Sequence, residues 1–269
     1  MDQKRFVGII LAVIGALLGI FGAMLLFNLT YEEYILAELN NLGEEGCDII
    51  IRDFLPIISD LSILGGICFA LAAYGFFTNE DWSISLAVVG NTLCLLAGFW
   101  PTIPAMQMGL APVWGIIFLP NLIIFLLLSR YVASLPWVTV IFALITGIAY
   151  VMCFLNGIAS TNRMETVGWP IFKELQRVNW IAAIGFGIVT IGILRRSDKD
   201  WVRILALGSA VLGVAAGYPL AAASSLSFNK FSMFFMAPML STVLLIIPLW
   251  PRLWNRLVSQ AGKKSEAIP

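Results

Sequence analysis

There is no histidine in this chain of 269 residues. That absence removes bis-imidazole haem ligation, the usual zinc ligand sets and the commonest general base. Charge is nearly as scarce, at 12% of residues with sixteen basic and sixteen acidic side chains. None of them falls in the central part of a long apolar run, where proton relays, ion-coupling sites and voltage sensors carry theirs. The four cysteines contain no C-x-x-C pair. Cys68, Cys94 and Cys153 lie in apolar runs, where cysteine acts as a small hydrophobe. Cys47 stands outside those runs without a second cysteine to pair with, so no intrachain disulfide is expected, and an intermolecular one is the lesser alternative. From these absences we expect no catalytic residue, no cofactor, no metal site and no nucleic-acid partner.

What the chain has is apolar length. At 60% hydrophobic residues and a mean hydropathy of +0.92, it has too little polar surface to coat a soluble globule of its size. A helix crosses about 30 Å of hydrocarbon with roughly 20 residues. Eight runs meet or approach that length, at 6–27, 61–77, 83–99, 113–129, 137–156, 180–194, 202–222 and 233–250. The expected fold class is therefore an all-α, polytopic integral membrane protein. Lys4 and Arg5 before the first run resemble the start of a secretion signal. The run is too long, however, and Phe21-Gly22-Ala23 lacks the small residue a cleavage site needs first, so a membrane anchor is expected.

A repeat runs through these segments. Asp81, Trp82, Leu86, Ala87, Leu93, Ala97, Gly98 and Phe99 recur, 119 residues on, as Asp200, Trp201, Leu205, Ala206, Leu212, Ala216, Gly217 and Tyr218. One residue less separates Pro101 from Pro219 and Pro120 from Pro238, and Gly66 falls onto Gly185 at the first offset. Similarity at a fixed period points to internal duplication. We expect two units, 1–133 and 134–269, each of four spans. An even number of crossings returns the second unit in the orientation of the first, a 4+4 parallel repeat about an axis along the membrane normal.

In each unit a polar loop follows the first span, and both loops carry helix signals. Thr30-Tyr31-Glu32-Glu33 reads as a capping box, followed by Tyr31, Ile35, Leu39 and Leu42 at helical spacing and Gly43 as a stop. In the second loop Pro170 suits a first turn and Ile171, Leu175 and Val178 form a stripe. Two short extracytoplasmic amphipathic helices are expected there. Ile49, Ile50, Ile51, Phe54 and Leu55, broken by Pro56, read as a re-entrant or interfacial segment.

Few polar residues lie inside the spans. Asn91, Thr92, Asn121, Ser241 and Thr242 are the candidates for a weakly polar site between the repeats; bonds that merely fix helix packing are the simpler reading. Thr190 and Ser209 share that simpler reading. Pro120 and Pro238 are candidate helix kinks, since matched interruptions in two repeats mark transport sites in some folds. Gly15-x-x-x-Gly19 and Gly213-x-x-x-Gly217 allow close helix approach, and Trp82 and Trp201 suit interfacial anchors.

With eight spans, one side of the membrane holds eleven Lys and Arg, including Lys4, Arg5, Arg195, Arg196, Lys199, Arg203, Arg252, Arg256, Lys263 and Lys264. The other holds five, among them Arg163 and Lys230, against ten acidic residues. The positive-inside rule places both termini in the cytoplasm of a cell-membrane protein. The bilayer is the certain partner and other membrane subunits are further candidates; oligomeric state is left unassigned. Three functions remain on this reading: a non-catalytic structural or accessory subunit, a transporter or channel for a neutral or amphipathic solute, and a lipid-acting enzyme at the outer face. The last would have only Glu32, Glu33, Asp48, Asp53 and Asp60 as carboxylates.

Overall fold

The computed structural model describes residues 2–40, 47–195, 200–229 and 231–259, and these form helices and connections without a strand. The chain divides into two compact units, Met1–Ser134 and Leu135–Pro269. In the first, α1 (Gln3–Asn40) is continuous through a π-turn at Leu18–Gly22. α2 (Cys47–Thr78), α3 (Ser83–Phe99), the short α4 (Thr102–Gln107) and α5 (Gly115–Leu127) follow, and a second π-turn, Leu128–Val132, prolongs α5. α1 packs on α2, α2 on α3 and α3 on α5, and the π-turn after α5 comes back to α1.

The closeness of α1 and α2 follows from two glycines. A Cβ on Gly19 would lie 2.7 Å from the Cα of Gly66, and one on Gly15 would lie 2.6 Å from the Phe69 ring. At the other end Arg5 donates through Nε and Nη2 to the Phe76 carbonyl, at 3.2 and 3.0 Å, and through Nη2 to that of Phe77 at 3.0 Å. These carbonyls belong to the last turn of α2, which has no intrahelical donors for them.

The second unit contains α6 (Trp137–Val167), α7 (Ile171–Leu194), α8 (Asp200–Phe228), a 3-10 turn at Met233–Phe235, α9 (Met236–Leu249) and α10 (Pro251–Ser259). Again each long helix packs on the next, and α9 returns to α6. Gly168, at φ 75°, ends α6 and gives its N–H to the carbonyls of Arg163 and Met164, so the chain reverses into α7 within three residues.

Among the described residues seven helices are long and apolar enough to cross a bilayer, as a multi-pass membrane protein requires. An eighth crossing depends on counting Met233–Leu249 together with Pro251–Val258, a pair bent by 100°.

Several expectations are corrected. The outer segments are not separate amphipathic helices: 28–40 is the end of α1, 47–60 the start of α2, and 171–179 the start of α7. Thr30 caps nothing. It sits mid-helix and buried, donating to the Leu26 carbonyl one turn back at 2.8 Å and accepting from Trp114 Nε1 at 3.0 Å. The inward stripe of α1 is Leu26, Thr30 and Tyr34, while Leu39 faces out. The supposed re-entrant segment is also helix, because Ile51, Phe54, Leu55 and Ile58 form one buried stripe and Pro56 costs only one hydrogen bond within it. Pro170 directly precedes the first residue of α7 instead of lying in its first turn, and Phe172 rather than Ile171 turns inward. Leu42, Gly43, Arg196, Lys199, Lys230, Lys263 and Lys264, and the side chain of Cys47, lie outside the described residues.

Candidate functional site

Asn91 on α3 and Asn121 on α5 expose no surface. Asn91 donates through Nδ2 to the Asn121 backbone carbonyl at 2.8 Å and to its Oδ1 at 3.3 Å. Asn121 in turn donates to the Ile117 carbonyl at 2.9 Å. Thr92, next in sequence to Asn91, is turned away from the pair and spends its hydroxyl on the Val88 carbonyl at 2.8 Å.

In the second unit Ser241 and Thr242 diverge in the same manner. Ser241 is buried against Gly213, with Oγ 3.9 Å from Cys153 Sγ. Thr242 donates to the Pro238 carbonyl at 2.8 Å and lies 3.3 Å from the Tyr218 hydroxyl. Thr190 and Ser209 likewise donate to carbonyls one turn back, Phe186 and Leu205. Of the five candidates, the structure joins Asn91 to Asn121 and leaves Thr92, Ser241 and Thr242 with other partners.

The two prolines differ in position. Pro120 is inside α5 and removes a bond that the Ile116 carbonyl would accept. Pro238 is the third residue of α9, directly after the 3-10 turn Met233–Phe235, where an N–H would have the Phe234 carbonyl one turn back within reach. It stands near the start of its helix, whereas Pro120 stands inside its own. The Pro238 ring packs against Gly217, and the Phe234 carbonyl accepts from Asn156 Nδ2 at 3.2 Å.

That bond belongs to a polar layer that sequence reasoning missed. Arg163 is 4% exposed, donates through Nε to Ser224 Oγ at 3.0 Å, and holds its guanidinium carbon 5.6 Å from the centre of the Phe234 ring. Ser160 donates to the Asn156 carbonyl, and Asn179 is fully buried nearby in sequence to Leu175, whose carbonyl it bonds at 2.8 Å. Asn156, Ser160 and Arg163 are spaced i, i+4, i+7, a helical signal that ending the span at 156 concealed.

No family model, curated protein or solved structure matches the chain.

Among the described residues no three His, Cys, Asp or Glu come together as a metal site. Of the acids named for a lipid-acting site, Glu32, Glu33, Asp53 and Asp60 are exposed, and Asp48 forms an i, i+4 pair with Arg52 at 3.5 Å. What the spans offer is hydrogen bonding within each unit, to the residue's own helix or to a neighbouring one, with Arg163 as a buried charged donor.

Proposed function

We propose that this protein is a non-catalytic multi-pass membrane subunit, a structural or accessory component of a membrane complex in the cell membrane with both termini cytoplasmic. One observation carries the reading. The hydroxyls and amides expected to line a site are engaged in bonds within their own unit, as packing requires and as an open binding site does not. Purification in mild detergent, followed by mass spectrometry and gel filtration, should yield a second membrane protein in fixed stoichiometry. A chain that elutes alone with a retained small molecule would overturn the proposal.

The 4+4 repeat is part of the same proposal. Both units pack their long helices in chain order and bring the last back to the first, which supports duplication. By neighbours, though, Gly185 corresponds to Gly65 rather than Gly66. Gly185 meets Ser209, and Gly65 meets Gly90 and Cys94, whereas Gly66 faces Gly19.

A carrier for a neutral solute is the second reading, favoured by one detail. Among the described residues the buried Asn91 Oδ1 and the buried Ser62 hydroxyl have no hydrogen-bond partner. Flux of uncharged solutes into proteoliposomes, abolished by Asn91→Ala, is what a carrier would show.

A further inference from the structure

We infer that α10 is a clamp for the phosphate headgroup of an anionic phospholipid. The inference rests on the membrane setting and holds whether the protein is a subunit or a carrier. α9 is apolar, and after Trp250 the chain turns by 100° into α10. Nine residues of helix reach only about 14 Å, too short to cross a bilayer, and a helix at that angle to a membrane helix lies along the surface at headgroup level.

The two sides of α10 are differently employed. Trp254 and Val258 are each 2% exposed, and Trp254 meets the Phe142 ring edge-on with centroids 5.7 Å apart. Thr139 on α6 donates to the Leu257 carbonyl at 2.8 Å. The apolar side is thus already occupied by the unit's own helices and is not the side that meets lipid tails. The opposite side carries Arg252 and Arg256, both exposed and neither in an ion pair with a described residue. At i, i+4 their Cβ atoms are about 5–6 Å apart, a spacing that lets two guanidinium forks share one phosphodiester.

Two further features favour lipid over a free anion. The bend leaves a shallow, open hollow formed by Trp250, Pro251, Arg252 and Leu253, whose apolar surface suits the glycerol and first acyl carbons. Trp250 is 64% exposed there, as an interfacial indole is. The bend that forms the hollow is held from α8, where Arg203 Nε donates to the Pro248 carbonyl at 2.6 Å.

The test is native mass spectrometry of the full-length protein in mild detergent, titrated with phosphatidylglycerol or phosphatidylcholine. The wild type should retain the anionic lipid preferentially. Arg252→Gln with Arg256→Gln should weaken its retention by about tenfold, since each basic side chain near an anionic surface contributes a few-fold. Phosphatidylcholine has the same phosphodiester, but its choline cation is repelled by the two arginines, so its adducts should be fewer in the wild type and change less in the variant. Arg252→Lys with Arg256→Lys, which keeps the charge but not the forks, should retain only part of the preference, and Arg177→Gln, which the expected topology puts on the other side of the membrane, all of it. Equal retention of both lipids by the wild type, or a preference that survives the double glutamine variant at unchanged melting temperature, would overturn the inference.

Discussion

Asn91 and Asn121 meet because each lies on the inward side of its helix, 30 residues apart, and their bond joins α3 to α5. Interhelical hydrogen bonds in a bilayer contribute about 0.6 kcal/mol on average, so Asn91→Ala should lower stability only modestly. A double-mutant cycle with Asn121→Ala, read by thermal unfolding in detergent, should return a coupling near that size, and additive effects would show the pair to be independent. Arg163 is a different case because a charge is buried. Hydrogen bonds to charged groups are worth about 1.5–3 kcal/mol, and Arg163→Met, which loses the Ser224 bond and the Phe234 contact together, should cost in that range. Arg163→Lys should cost less. The glycines divide by what surrounds them. Gly19→Leu should disrupt the α1–α2 contact at a cost of at least about 1–3 kcal/mol, whereas a Cβ on Gly208 would meet nothing within 4 Å. Gly208→Ala should therefore stabilise α8 by about 0.5–1 kcal/mol.

Helices here ran on where sequence signals indicated a stop. Thr30 and Glu33 form a valid capping pattern, yet Thr30 has a better use in the middle of α1, where Trp114 supplies a donor from 84 residues away. A local pattern cannot register a partner at that distance. Polar content misled in the same way at 157–179, since a layer of Asn156, Ser160 and Arg163 can be buried when Ser224 and the Phe234 carbonyl face it. At the prolines, position within the element decides the consequence. Pro120→Ala should restore a hydrogen bond to the Ile116 carbonyl and raise the melting temperature; Pro238→Ala, near a helix start where the Phe234 carbonyl already accepts from Asn156, should gain less and act mainly through its contact with Gly217. Equal responses from both variants would contradict this distinction.

At the scale of the whole chain, orientation is the most direct thing to measure. With sixteen basic residues split eleven to five by the expected crossings, a cysteine replacing Asp53 in a cysteine-free background should react with a membrane-impermeant maleimide in intact cells. One replacing Arg195 should react only after the membrane is opened, and the reverse pattern would invert the topology. Composition by itself determined the membrane class and the all-helical fold, because burying the backbone of so apolar a chain leaves helices as the economical solution. Some helix ends were legible as well: α3 begins at Ser83, and α7 ends at Leu194, as read from the runs. What only the tertiary structure decided was the partner of each polar group. Asn91 finds Asn121, Arg163 finds Ser224, and Arg5 finds the end of α2. Each of these bonds joins helices remote in sequence, and since hydrogen bonding depends on direction and distance, hydropathy and local spacing contain no information about which will form.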